Sequence, residues 1–374
     1  MYLTFLTTTA PKQLTWEDIL NDPYLTVENS AMRPKKKVTK EISTEYAAQL
    51  WEKRKKAYEI ATPWIKHVME VYKLSDDIDT ALHYSHFKIP KKSNPHKLRQ
   101  IDAPDEQLSN IQGAYKDFIE NTLQVLTHKA AHAYVKERST VTAMQTHQRN
   151  NSKWYLQIDL KDFFNSINET WLKKMMLEIF PFKFIDEKDL NRIIKVSMLN
   201  GTLPQGSRLS PTLTNIAMVP IDYDITEALH NYKGHHYVYT RYADDITISC
   251  KEKFNEREII NIIKSIFRKW ETPFRINNEK TRFGSIAGRN YHLGIIVNKD
   301  NKLSVGHEKN QKFRAQIFNF CTVGNEWEIA DVQKMLGLIS YYKAIEPDFV
   351  EKILRKYGEK FNMDIEKTAK ELIK

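Results

Sequence analysis

The chain has 374 residues and a formal net charge of +10, with 57 Lys and Arg against 47 Asp and Glu; the length suffices for a large core split into two or three lobes, and the balance favours polyanionic partners. Two cysteines, Cys250 and Cys321, exclude a disulfide framework and lack the spacing of a cysteine zinc motif. No apolar run approaches the ~18 residues of a membrane span and the N-terminus carries no signal-peptide pattern, so the expectation is a soluble, cytoplasmic protein with no membrane partner.

Residues 1–40 join a Thr-rich opening to a Pro- and Lys-rich linker, and 44–74 shows helical periodicity with dense charge. Residues 1–77 are therefore expected to form a partly helical N-terminal extension. Basic runs at 35–37, 53–56 and 309–314 fit phosphate contacts as well as they fit solvated faces. Residues 88–101 read as a basic hairpin with Ser93-Asn94-Pro95 at its tip. Such a hairpin either blunts a sheet edge or offers fixed positive charge and several donors to a polyphosphate. His128 and His132 have the spacing of helical neighbours, but Lys129 stands where a zinc-protease motif carries Glu, which leaves them as structural or template-side residues.

Trp154-Tyr155-Leu156-Gln157-Ile158-Asp159-Leu160 reads as a buried strand that delivers Asp159, with Lys161-Asp162-Phe163-Phe164 directly after it. Helices are expected within 169–200. A Gly- and Pro-punctuated loop follows, Leu203-Pro204-Gln205-Gly206 through Ser210-Pro211. In it Gly206 lets the backbone approach a ligand, Gln205 offers a donor and an acceptor, Ser210 suits an N-cap and Pro211 the first helical position. One helix is predicted over 212–231.

Two strands rich in β-branched and aromatic residues, His236-Tyr237-Val238-Tyr239-Thr240-Arg241 and Ile246-Thr247-Ile248-Ser249, flank Tyr242-Ala243-Asp244-Asp245 and place that acidic pair in a tight turn. Alone, an Asp-Asp turn is commonplace. Burying adjacent carboxylates without a counter-ion costs several kcal/mol, however, so a cation is the natural resolution. With Asp159 on a separate strand, the acids form the donor set of two-metal nucleotidyl transfer, in which cations about 3.5–4 Å apart activate the attacking hydroxyl and stabilise the leaving pyrophosphate. Further strands are expected near 273–277 and 291–298, a helix near 254–270, and helical segments at 308–321, 327–342 and 349–357.

These segments, in this order, resemble the reverse transcriptases, and within them the bacterial retron type. The pieces that carry the resemblance are Asp159 to Phe164, the Leu203-Pro204-Gln205-Gly206 loop with Asn215, Tyr239 to Asp245, Ile276-Asn277-Asn278-Glu279-Lys280-Thr281 and His292-Leu293-Gly294. The resemblance implies an α+β right-hand polymerase: fingers over 78–151, an antiparallel-sheet palm over 152–300 with inserted finger helices at about 169–200, and a helical, RNA-binding thumb over 301–374. It makes Asp159, Asp244 and Asp245 the catalytic residues and the ligands of two Mg2+ ions, with Mn2+ as a substitute. Lys97, Arg99, Gln205, Gly206 and Lys280 would bind the incoming nucleotide, and Phe164 would be the gate beneath its sugar. Arg138, His147, Leu293 and Gly294 would contact nucleic acid.

Two segments depart from the retron pattern. Ala143-Met144-Gln145-Thr146-His147 keeps only the His of Asn-Ala-x-x-His, and His292-Leu293-Gly294 stands where retron enzymes carry Val-Thr-Gly, a form closer to group II intron enzymes. The implied activity is RNA-directed DNA polymerisation on a structured non-coding RNA, primed by a 2′-hydroxyl, giving an RNA–DNA hybrid used in anti-phage defence with a separate effector protein. The partners are then that RNA, its cDNA and dNTPs. The alternatives are another prokaryotic reverse transcriptase, of intron-like or abortive-infection type, and a largely scaffolding RNA–DNA-binding subunit of a toxin complex.

Overall fold

The structure is a computed structural model that describes residues 78–373, with short gaps at 92–93, 123–126, 180–181, 183–184, 186, 231 and 289–291, together with His67 and Glu70. The extension expected over 1–77, with its basic runs at 35–37 and 53–56, otherwise lies outside the described residues.

The first strands, β1 (Tyr84–Lys91) and β2 (Asn94–Pro104), pair antiparallel as the basic hairpin. Asp105 follows β2 and caps α1 (Glu106–Asp117), its carboxylate accepting from Leu108 N at 2.8 Å. A reciprocal capping box between Ser139 and Thr142 starts α2 (Thr140–Arg149).

The central sheet is built on β3 (Trp154–Lys161), whose burial on both faces matches its apolar run. On one edge it pairs with β5 (Asp245–Cys250), which pairs in turn with β4 (Val238–Tyr242). On the other edge two short strands share it, β6 (Arg275–Ile276) against the end of β3 and β7 (Arg282–Ser285) against its start. Sequence periodicity missed β7, because Arg282-Phe283-Gly284-Ser285 is short and contains a glycine. Segment 291–298 contributes only β8 (Ile296–Val297), paired with β9 (Leu303–Ser304) in a separate ribbon.

Helices pack against this sheet. The one-turn α3 (Phe163–Ser166), α4 (Glu169–Met176) and α5 (Glu187–Ser197) follow β3. The helix predicted over 212–231 is two, α6 (Ser210–Ala217) and α7 (Val219–Leu229), because Pro220 has no N–H to donate and instead sits in the first turn of a new helix. Ser210 is not an N-cap; it lies inside α6, and its hydroxyl donates to Pro204 O at 3.1 Å. Helix α8 (Glu256–Lys269) buries Ile259, Ile263, Ile266 and Phe267 on one face, with acids in its first turn and bases in its last to suit the dipole.

Four further helices, α9 (His307–Val323), α10 (Ile329–Lys343), α11 (Pro347–Phe361) and α12 (Ile365–Leu372), enclose a second core around Phe313, Met335, Ile339 and Val350. Tyr155 of β3 and Met144 of α2 belong to that core, so it is continuous with the back of the sheet. Among the described residues no helix is long and apolar enough to cross a membrane.

Candidate active site

Antiparallel register sets Asp159 directly opposite Asp245, and the last β4–β5 pair, Tyr242 with Asp245, leaves Ala243 and Asp244 as the hairpin tip. Ala243 takes a left-handed φ of 55°, the kind of backbone outlier that tight functional turns hold. Leu160 N donates to Asp244 O at 3.0 Å, which ties the tip to β3. The three acids predicted from sequence therefore converge. Asp159 accepts from Lys280 Nζ at 2.8 Å and from Asn277 Nδ2 at 3.0 Å.

Crowding governs their charge. Burial, then the charges of Asp244 and Asp159, pushes the Asp245 carboxyl up to about 7, against the pull of Lys280 and a hydrogen bond from Gln157. Asp244 is raised as well, by burial and by Asp159. All-oxygen donors that resist joint ionisation fit a hard divalent cation. A carboxyl raised above its unfolded pKa adds stability below about pH 4 and loses that stability as pH climbs through about 7. In chelator at pH 8, Asp245→Asn is therefore expected to be more stable than the parent by on the order of 1–3 kcal/mol in chemical denaturation. An unchanged midpoint would show that the acids do not strain one another.

A cleft of about 470 Å³ opens over Asp159 and Asp244, lined among others by Arg99, Phe164, Gln205 and Lys280. Arg99 is an exposed residue of β2 whose charge lowers the Asp244 carboxyl, whereas the Lys97 side chain lies outside what the structure describes. Phe164 is half-buried, packing on the main core and 6.1 Å from the Tyr134 ring across the cleft. Gln205 O accepts from Asp102 N at 2.9 Å. Gly206 has φ +138°, and a Cβ there would stand 2.4 Å from Asp102 O, so the glycine serves a close approach to the β2 backbone.

Other residues expected to contact nucleic acid make hydrogen bonds within the protein. His147 has no exposed surface; its Nδ1 lies 2.6 Å from Ser249 Oγ and its Nε2 2.8 Å from Thr240 Oγ1, and burial lowers its pKa to about 3. The expected nucleic-acid contact is not what the structure shows at His147, which offers no surface to a ligand: a neutral imidazole pins α2 to the β4–β5 hairpin. Arg138 turns Nη1 onto the carbonyls of His128 and Ala131 at 2.8 and 2.7 Å, so that nitrogen closes its own loop rather than reaching a phosphate. Leu293 and Gly294, at φ 53° and 81°, make a tight turn that Lys309 Nζ of α9 tethers at Gly294 O, 2.9 Å away. His128 and His132 are buried, and burial lowers both to about 4.

Sequence reading missed the residues that hold the acids. Asn277 grips β3 twice, through its side chain and through its N–H to Asp159 O at 2.8 Å. Beneath the hairpin, Arg241 is wholly buried and bidentate to Asp222 of α7, at 2.9 Å from Nε and 2.8 Å from Nη2, while Tyr239 donates to the same carboxylate at 2.7 Å. Arg241 Nη2 also reaches Asn215 Oδ1 at 3.2 Å. An Arg and an Asp inside otherwise apolar segments were the available signal.

Comparison with known proteins decides the family: the model described as Reverse transcriptase (RNA-dependent DNA polymerase) matches residues 89–320. The chain belongs to the reverse transcriptase family. The enzyme is 30% identical to Retron Ec83 reverse transcriptase of Escherichia coli over 77% of this chain and 91% of that protein. It is equally 30% identical to Retron Ec73 reverse transcriptase of Escherichia coli, over 70% and 83%. Group II intron-encoded protein LtrA of Lactococcus lactis subsp. cremoris shares 28% over 35% of this chain and 23% of that one. The enzyme is thus an RNA-directed DNA polymerase of the retron type with a right-hand α+β fold, and its family uses divalent metal ions and RNA templates.

Proposed function

We propose that the enzyme copies a structured non-coding RNA into single-stranded DNA from a 2′-hydroxyl within that RNA, and that the RNA–DNA hybrid acts in anti-phage defence beside a separate effector protein. The observation that carries the reading is the convergence of Asp159, Asp244 and Asp245 beneath a cleft edged by Arg99 and Lys280. The three carboxylates would hold two Mg2+ ions, or Mn2+ in their place, which when bound supply Lewis acidity to the attacking hydroxyl and the leaving pyrophosphate. Arg99, with Lys97 on the same strand, neutralises the triphosphate. Lys280, 2.8 Å from Asp159 at the edge of the cleft, would donate toward the pyrophosphate. Gln205 borders the nucleotide, Gly206 keeps that loop against the fingers, and Leu293 with Gly294 steadies the primer end.

Phe164 lies under the sugar and excludes a ribose 2′-hydroxyl. Phe164→Ala is expected to cut the preference for dNTPs over rNTPs by roughly ten- to a hundredfold, the size of a lost steric contact in a pocket, measured as the ratio of kcat/KM values. An unchanged ratio removes Phe164 from the gate. The function itself is tested by sequencing the nucleic acid that copurifies with the enzyme from its native locus and probing the junction with a 2′–5′ debranching enzyme. A debranchable RNA–DNA bond is expected; DNA with no RNA joined to it contradicts 2′-hydroxyl priming.

A further inference from the structure

The far end of the catalytic hairpin carries a second cluster of ligand-type side chains. His235 precedes β4, Cys250 ends β5 and Glu252 follows it, and one ligand atom from each lies within 4.8 Å of the others. The Cys250 thiol donates to Glu252 Oε2 at 3.3 Å, and His235 Nδ1 is 3.6 Å from the same oxygen. Around a tetrahedral zinc ion, with bonds of about 2.0–2.3 Å, neighbouring ligand atoms stand roughly 3.4–3.6 Å apart. The separations of 3.3 and 3.6 Å lie within a few tenths of an ångström of those edges. The three side chains are also chemically distinct, a thiol, an imidazole and a carboxylate, which is the mixture that selects a borderline-soft ion over Mg2+.

We propose that His235, Cys250 and Glu252 form a zinc-class metal site, with solvent in the fourth position, that clips the base of the catalytic hairpin. The site is separate from the polymerase centre: the six residues of β5 span roughly 17 Å at ~3.3 Å each, with Asp245 at one end and Cys250 at the other. Binding deprotonates the thiol, the proton passes to solvent, and the Cys250–Glu252 hydrogen bond is replaced by two bonds to the ion. The buried thiol explains why the cluster was invisible to spacing rules: its ligands come from both sides of a strand pair rather than from a short Cys–Cys interval.

The test uses the full chain, freed of metal by chelator and titrated with Co2+ alone, followed by Zn2+. Tetrahedral thiolate ligation gives Co2+ a sulfur-to-metal charge-transfer band and intense visible bands, which an all-carboxylate site does not. The expected result is one such site per chain, abolished by competing Zn2+, unchanged in Cys321→Ser, and weakened at least tenfold in affinity by His235→Ala and by Glu252→Gln. Those two variants alter partly or fully exposed residues, so a folding failure of Cys250→Ser leaves the answer intact. Absence of the charge-transfer band in the parent protein, or a band indifferent to His235→Ala and Glu252→Gln, overturns the proposal.

Discussion

Asp244→Ala is expected to abolish dNTP incorporation, lowering the rate by at least roughly a thousandfold, while RNA affinity stays within about twofold. The first half follows from the hairpin geometry: Asp244 sits at the tip, its pKa raised by burial and by Asp159, and under the proposed metal role its loss would delete a ligand where cation charge offsets a pentacoordinate phosphorus transition state. Several kcal/mol of transition-state charge stabilisation rest on such ligation, and every 1.4 kcal/mol is about tenfold in rate. The second half follows from where nucleic-acid affinity resides, in Lys and Arg contacts spread along the phosphate backbone. Primer extension and filter binding on the same preparation separate the two. Sustained synthesis by the variant would remove Asp244 from the chemistry, and a collapse of RNA binding would show that the hairpin tip is an RNA contact instead.

Asp222→Ala is expected to cost 3–5 kcal/mol of folding stability, roughly the penalty for leaving a buried charge unpaired. Arg241 and Asp222 have no exposed side-chain surface, and Tyr239 donates to the same carboxylate, so the truncation strands a guanidinium and a phenol together. Because typical domains hold only about 5–15 kcal/mol in reserve, urea denaturation should register the loss plainly. Arg241 also receives a backbone bond at its carbonyl from His132 N and gives one from its N–H to Ala130 O, so the hairpin and the 130–132 loop are expected to loosen together in hydrogen exchange. A cost below about 1 kcal/mol would mean that the buried pair has no such weight.

What the sequence made legible was whatever local chemistry decides. Alternating β-branched residues on either side of an acidic turn predicted the hairpin, and the apolar run ending at Asp159 predicted its neighbour, because strand period and turn propensity act over a few residues. Asn277 and the Arg241–Asp222 pair were not legible in role, since each acquires meaning only from a partner on another element. His147 misled for the same reason: position before the first catalytic strand suggested an RNA contact, but the packing of α2 against β4 and β5 buries it between two hydroxyls. The break at Met218 was readable from Pro220 and was overridden by length. Helix α12 was missed although Asp364, accepting from Lys367 N at 3.0 Å, is an ordinary N-cap.

We propose that Asp159 and Asp244 together hold divalent cations beneath a growing DNA end. Anomalous diffraction from crystals of the enzyme with primed RNA, a non-hydrolysable dNTP and Mn2+ tests it most directly. Two anomalous peaks about 3.5–4 Å apart, within bonding distance of both carboxylates, are predicted. Bound nucleotide with no peak between those side chains would contradict the account.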